Sequence, residues 1–239
     1  MHTAIRPPRF GITLNVSGGI EAMDTLNHSY VRWCEDLGVV PILLPNKLSD
    51  PVNYCRKLNV DGIILTGGND LSGQEYVEES RSQSLVRDET EYAILAEALN
   101  AHMPVIGICR GLQFLNVYFG GHLLTNISTR SVHFGNHAGS RHKVNIVSHP
   151  VRSFLGVEMY TVNSFHNHGV ALDGLAPSLE PFAISDGDKL VEGVIPREHK
   201  IVGIQWHPER PGSDVSCDMR LFSAFLNGNF GGKSVIDPP

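Results

Sequence analysis

One stretch of the chain puts a nucleophile where chemistry can use it: Val105-Ile-Gly-Ile-Cys-Arg-Gly-Leu-Gln113. An apolar strand pattern runs straight into Gly107-Ile108-Cys109-Arg110-Gly111, and a helical pattern follows. This is the thiol counterpart of a nucleophile elbow, in which the reactive side chain stands on a sharp strand-to-helix turn. Glycines two residues to either side remove side chains that would clash there. The N-terminus of the following helix stabilises negative charge on the Cys109 sulfur. A thiol nucleophile also needs a base to take its proton and an acid to orient that base. Ile201-Val-Gly-Ile-Gln-Trp-His-Pro-Glu209 offers both, a histidine just beyond a second apolar strand and a carboxylate two residues later. Pro208 ends that strand and stiffens the link between His207 and Glu209. The other thiols lack an elbow. Cys34 and Cys55 sit beside apolar residues in helical patterns and read as small buried side chains, and Cys217 lies in a polar lead-in to the last helix.

The elements that must carry these residues alternate in the first half. Phe10 to Val16 reads as a strand ending at Ser17-Gly18-Gly19. A helix is expected over Asn27 to Leu37, with Tyr30, Val31, Cys34 and Leu37 on one face. Val39 to Leu44 is a β-rich run, and Ser49-Asp50-Pro51 reads as a capped helix start. Gly62 to Thr66 is an all-apolar strand of the kind covered on both faces in a parallel sheet. Asn69 to Arg87 is polar and reads as a long surface loop near the site. Asp88 to Met103 reads as a helix with acids in its first turn, Val105 to Ile108 as a strand, and Leu112 to Tyr118 as a helix. The second half shows short β-like runs at 143–147, 160–164, 182–185, 190–195 and 201–206, then a closing helix from Asp218 to Leu226. The expected fold is α/β, a mostly parallel central sheet flanked by helices, with additional short strands in the second half and residues 1–239 as a single domain.

Taken together, GICRGLQFLN and GIQWHPE resemble the class I glutamine amidotransferase superfamily, whose fold is flavodoxin-like. Thr66-Gly-Gly-Asn-Asp-Leu71 looks like that family's oxyanion loop. Arg87-Asp88 with Glu91, Val162-Asn-Ser-Phe-His-Asn-His168, and Leu115-Asn116 with Gly120-Gly121 resemble its γ-glutamyl hydrolase branch, peptidase family C26. The resemblance extends from Phe10 to about Leu226. It implies that Cys109 attacks the carbonyl carbon of a γ-glutamyl amide, that His207 takes the thiol proton and later protonates the leaving amine, and that Glu209 orients His207. It implies an oxyanion hole from the backbone N–H groups of Gly68 and Arg110. It implies substrate contacts from Gln113, Asn163, Ser164, Phe165, His166 and Arg87. Hydrolases of this branch often carry His-Gln near the end of the Asn163 segment, where this chain has Asn167-His168.

Composition narrows the remaining classes. Nineteen basic against 25 acidic residues give a formal charge of -6, which disfavours binding nucleic acid through its phosphates. No apolar run reaches the roughly 18 residues of a membrane span. No secretory signal and no CxxC pair are visible, which fits a cytoplasmic setting. His133, His137, His142 and His149 cluster in sequence, but no acidic residue lies within Thr129 to His149, so neither a metal nor another cofactor is expected and the stretch reads as a polar loop. The partner is then a small γ-glutamyl substrate, and a homodimer is compatible with the sequence. Three functions compete: a free-standing γ-glutamyl hydrolase, favoured by the Arg87-Asp88 segment; a glutaminase subunit passing ammonia to a synthetase; and a binding protein that has kept the fold, which the intact Cys109, His207 and Glu209 oppose. For the hydrolase, Arg81, Arg87, Arg130, Arg141 and Lys143 form a cationic inventory that suits a phosphate-bearing leaving group. Gly67-Gly-Asn-Asp-Leu71 and Asn163-Ser-Phe-His-Asn167 resemble a branch that acts on γ-glutamyl-CDP-amidate in phosphoramidate decoration of surface polysaccharide. That resemblance makes this the expected substrate, with γ-glutamyl-γ-aminobutyrate of putrescine breakdown, cleaved by the better-known branch, as the alternative.

Overall fold

The structure, a computed structural model, describes residues 6–18, 21–72, 78–127 and 137–230, with the backbone alone described for 78–84. Gly19, Arg130, His133 and the side chain of Arg81 lie outside the described residues. In chain order, β1 (Arg9–Thr13), β2 (Asn15–Ser17) and β3 (Met23–Thr25) lead to α1 (His28–Asp36), β4 (Val40–Leu44) and α2 (Pro51–Lys57). Then come β5 (Gly62–Leu65), α3 (Glu78–Asn100), β6 (Val105–Ile108) and α4 (Arg110–Tyr118). The second half holds β7 (Ala138–Ile146), α5 (His149–Leu155), β8 (Met159–Phe165), β9 (Leu179–Ser185), β10 (Val191–Pro196), β11 (Ile201–Ile204) and α6 (Val215–Leu226).

Nine strands form one sheet in the order β4-β1-β5-β6-β11-β10-β9-β7-β8. From β4 to β11 every neighbouring pair is parallel, and from β11 to β8 every pair is antiparallel. The short strands of the second half therefore extend the parallel sheet as an antiparallel wing. Apolar side chains alternate between the two faces, as the period of a strand requires. Ile12, Ile64, Ile106, Ile108, Val202 and Ile204 meet Trp33 of α1, Val151 of α5 and Phe222 of α6 on one face. Ile63, Leu65, Val105 and Ile201 meet Cys55 of α2, Leu95 of α3 and Leu112 of α4 on the other. Covering both faces is what makes β5 and β6 wholly buried and wholly apolar.

Several expectations need correction. The strand expected over Phe10 to Val16 breaks at Leu14, and β2 leaves the main sheet to pair with β3. Trp33, not Val31, completes the buried face of α1; Val31 is exposed. The polar segment from Asn69 to Arg87 is not all loop, because α3 already begins at Glu78. Asp88, Glu89 and Glu91 thus sit inside a helix rather than in its first turn, and two of these carboxylates meet buried arginines instead of the helix dipole. The stretch from Thr129 to His149 is largely β7 where it is described. Cys217 lies inside α6 and is buried. Helix α5 was not expected, although Pro150 in its first turn is a start signal.

Candidate active site

Three adjacent parallel strands end side by side, and each delivers one part of the site from its C-terminal end, where open α/β sheets bind their ligands. β5 runs out into Thr66-Gly67-Gly68, β6 into Cys109, and β11 into His207. Cys109 takes φ 54° and ψ -102°, a left-handed conformation that costs a non-glycine residue on the order of 1–3 kcal/mol. The backbone holds it there: Cys109 N–H donates to Ile204 O at 2.7 Å, and Gln113 N–H donates to Cys109 O at 3.2 Å. The turn also needs Gly111, since a Cβ there would lie 2.2 Å from Leu65 O. Gly67 has the same constraint toward the catalytic candidates. A Cβ on it would lie 2.8 Å from His207 Cε1 and 3.4 Å from Cys109 Cβ.

His207 is fixed from several directions. Its Nδ1 lies 2.7 Å from Glu209 Oε1. Its backbone N–H donates to Asn163 Oδ1 at 2.9 Å, and its carbonyl accepts from Asn163 Nδ2 at 2.7 Å. Burial pulls the imidazole pKa down, but the hydrogen-bonded Cys109 thiol and the Glu209 carboxylate outweigh it and raise the value to about 9. With Glu209 occupying Nδ1, Nε2 is the nitrogen that can serve the thiol. The arrangement can hold a thiolate–imidazolium pair under a largely closed surface, since Cys109, His207 and Glu209 are each no more than 9% exposed.

Cys109 borders a cavity of about 340 Å³. Gly68, Arg110 and Gln113 line it beside Cys109, with Phe165 and His166 opposite. The structure thus brings Cys109, Gly68, Arg110, Gln113, Phe165 and His166 around one space, with His207 and Glu209 buried behind Cys109. Phe165 also stands edge-on to the His207 ring, with centroids 5.8 Å apart. Gln113 is not idle there: its Nε2 donates to His168 O at 2.8 Å and to Gln205 Oε1 at 3.2 Å.

Three residues expected to contact substrate are occupied elsewhere. Asn163 is buried against the loop after β11, donating to Arg210 O and Pro211 O as well as to His207 O. Ser164 is buried with its hydroxyl on His137. Arg87 is fully buried behind the Gly-Gly turn, and its guanidinium donates to Thr66 O at 2.7 Å, Thr66 Oγ1 at 2.9 Å, Gly67 O at 3.1 Å and Asn15 Oδ1. Its Nε pairs with Glu91 at 2.8 Å, and Glu91 also pairs with the Arg110 guanidinium, which reaches Asp88 as well. Burial alone would raise the Glu91 carboxyl, but Arg110 and Arg87 outweigh it and hold the pKa below the ordinary value. This ion ladder locks the turn after β5 to the helix that follows Cys109.

Sequence reasoning missed the parts of this lock that are distant in the chain. Asn15 accepts from Asn69 N–H at 3.2 Å as well as from Arg87, and Tyr30 Oη accepts Gly67 N–H at 2.9 Å. No local pattern around Asn15 or Tyr30 announces either bond. The histidine stretch is likewise completed from elsewhere: the carboxylate absent from Thr129 to His149 is supplied by Glu192 on β10, beside His137, His142 and His166.

Comparison with known proteins shows the family and the fold. The peptidase C26 family model matches residues 12–209. The chain is 38% identical over 211 residues to the glutamine amidotransferase-like protein YvdE of Lactococcus lactis, covering 84% of this chain and 87% of that one. It is 31% identical over 224 residues to the γ-glutamyl-γ-aminobutyrate hydrolase PuuD of Escherichia coli, covering 86% of each. A glutamine amidotransferase structure from Thermotoga maritima superposes with a TM-score of 0.55 at 19% identity, over 92% of this chain and 83% of that one, a likeness of fold. Among the described residues no helix is long and apolar enough to cross a membrane.

Proposed function

The chain belongs to the peptidase C26 family, and on that premise we propose that it hydrolyses the γ-glutamyl amide bond of a small γ-glutamyl conjugate through a thioester on Cys109. The observation that carries this reading is the Cys109–His207–Glu209 chain of contacts, whose Cys109 end borders the cavity. In the first half-reaction the Cys109 sulfur attacks the γ-carbonyl carbon, and its proton resides on His207 Nε2. The oxyanion develops toward the N–H groups of Gly68 and Arg110, both of which border the same cavity. Collapse expels the amine, which takes its proton from His207, and leaves a glutamyl thioester on Cys109. In the second half-reaction His207 deprotonates a water that attacks the thioester carbonyl. Glutamate leaves and the thiol is restored, with Glu209 keeping the imidazole in one orientation throughout.

Two amine halves each have a supporting observation. The relative PuuD, a γ-glutamyl-γ-aminobutyrate hydrolase, supports an aminobutyrate-type leaving group. A nucleotide-linked leaving group, as in γ-glutamyl-CDP-amidate, draws support from Arg141 and Lys143, exposed on one face of β7 and paired with the strand that ends at Phe165. Arg87 no longer counts toward that cationic inventory, because its guanidinium is spent inside the fold. Glutamate release should be measured on one preparation with γ-glutamyl-γ-aminobutyrate, γ-glutamyl-CDP-amidate and free glutamine. A kcat/KM for either conjugate well above that for glutamine is the expected result. Turnover of glutamine alone would replace the hydrolase reading with that of a glutaminase subunit.

A further inference from the structure

Below the cavity, on the antiparallel wing, lies a cluster that the proposed hydrolysis does not use. Glu192 on β10 is wholly buried, and neither of its carboxylate oxygens accepts a hydrogen bond. Its neighbours are imidazoles: His166 Nε2 stands 3.7 Å from Oε1, and His142 Nε2 stands 3.5 Å from Oε2. Neither nitrogen has a hydrogen-bond partner. One ligating atom from each of His137, His166 and Glu192 lies within 4.8 Å of the other two.

The tautomers sharpen the picture. His166 Nδ1 lies 2.9 Å from His168 O, and a carbonyl can only accept, so Nδ1 carries the hydrogen. The Nε2 lone pair of a neutral His166 then faces a carboxylate. A protonated ring would instead close to the 2.7–2.9 Å or so of a charge-assisted hydrogen bond. At His137, Asp188 Oδ2 lies 2.6 Å from Nε2, so that nitrogen donates, while Nδ1 lies 3.0 Å from Ser164 Oγ, whose hydroxyl also reaches His137 O at 2.9 Å. With the hydroxyl hydrogen on that carbonyl, a neutral His137 turns its Nδ1 lone pair to a bound cation. In that arrangement each neutral ring presents one lone pair while its other N–H is held by a carbonyl or a carboxylate. That is the pattern in which metal-binding histidines are oriented. Metal bonds of about 2.0–2.2 Å keep two ligand atoms roughly 3.3 Å apart, close to the 3.7 Å between His166 and Glu192 and too short for two buried acceptors to share without a cation.

We propose that His137, His166 and Glu192 form a binding site for a divalent metal of the zinc class, with His142 next to the second carboxylate oxygen. Imidazole nitrogen with one carboxylate suits zinc and its neighbours over calcium or magnesium. The expectation of a metal-free protein weighed only residues 129–149, and the missing carboxylate reaches the cluster from β10. The metal's role here is positioning. His166 lines the catalytic cavity, and His168 O accepts both from His166 Nδ1 and from Gln113 Nε2 on the helix behind Cys109. A bound metal would fix that wall of the cavity relative to the nucleophile's helix.

The test uses the full chain without a polyhistidine tag, purified without chelator. Elemental analysis should find one zinc-class metal per chain. Titration of the stripped protein with Co²⁺ should give a visible ligand-field absorption that saturates at one equivalent. Glu192→Gln should weaken Co²⁺ binding by at least about 10-fold, and Asp188→Asn, which loosens the hold on His137 Nε2 along with the contacts of Asp188 to Ser185 and Leu190, by about 10- to 100-fold. His149→Ala, at an exposed histidine on α5, should leave binding unchanged. Circular dichroism identifies the folded variants, and Asp188→Asn carries the test if Glu192→Gln fails to fold. No stoichiometric metal with no cobalt absorption, or wild-type affinity in any folded variant at Glu192 or Asp188, would overturn the proposal.

Discussion

Asn163 grips His207 through both polar groups of its side-chain amide, accepting the backbone N–H with Oδ1 at 2.9 Å and donating Nδ2 to the carbonyl at 2.7 Å. One amide therefore fixes the backbone on which the candidate base is mounted, from a strand on the far side of the wing. Asn163→Ala should lower kcat/KM on the order of 10²-fold, because a displaced base loses its alignment with the thiol. The rate of Cys109 alkylation should fall with it. An unchanged alkylation rate alongside lost turnover would mean that Asn163 acts on something other than His207.

Cys109 should be the sole essential thiol. Burial pushes Cys34 up to about 12 and Cys55 up to about 11, and burial also raises Cys217, so all three stay protonated at neutral pH. Iodoacetamide at pH 7 should modify Cys109 alone, read by peptide mass mapping. Cys109→Ala should abolish hydrolysis of a γ-glutamyl anilide while leaving the circular dichroism spectrum intact. Ordinary turnover in that variant would remove the thioester route.

Arg87 separates a structural role from a substrate role. Arg87→Met removes one partner from a fully buried ion ladder and should cost about 3–5 kcal/mol of stability, seen as a lower Tm. Below its new Tm the variant should show a reduced kcat, since the turn bearing Gly68 loses its support, with KM for the conjugate near that of the wild type. A rise in KM with kcat and Tm unchanged would return Arg87 to the substrate-binding side.

His207 gives the stability curve a sign. Its folded pKa, about 9, lies above an unfolded value near ~6.5. The stabilisation it contributes is whole below about pH 6.5 and is lost as pH rises through about 9. Thermal unfolding followed from pH 6 to 10 should show that decline. Cys109→Ala removes one of the two groups that raise the imidazole, so its decline should begin at lower pH. Superimposable profiles for the two proteins would sink the thiol–imidazole coupling.

What the sequence discloses depends on how local the cause is. β6 is legible because an uninterrupted apolar run lies between Pro104 and the elbow, and both faces of that strand are covered. The elbow and the His-Pro-Glu turn are legible because their geometry is set within a few residues. Helix α3 was read ten residues short, because Arg87, Asp88 and Glu91 look like solvent-facing or capping residues until Arg110 arrives from another element. Asn163 and Ser164 read as substrate contacts in the sequence, yet their side chains turn to the His207 backbone and to His137, directions fixed by the pairing of β8 with β7 and by the loop after β11. Glu192 was invisible as a companion of the histidines for the same reason: two intervening strand pairings bring them together.

The sheet order has a consequence for how such proteins can diverge. β6 and β11 are neighbours, in register from Val105 opposite Ile201 to Ile108 opposite Ile204, although the chain builds the whole wing between them. The candidate nucleophile and the candidate base are thus joined by a pairing of short strands, and the wing hangs from that joint as an excursion. Its outer strands can drift in sequence, lengthen or accept new side chains toward the leaving amine without shifting the distance between thiol and imidazole. Asn163 is a tether that limits this freedom, for it reaches back from the wing to hold the backbone of His207. On the proposed reaction, descendants of this scaffold could exchange the amine they release by rewriting the wing around one retained asparagine.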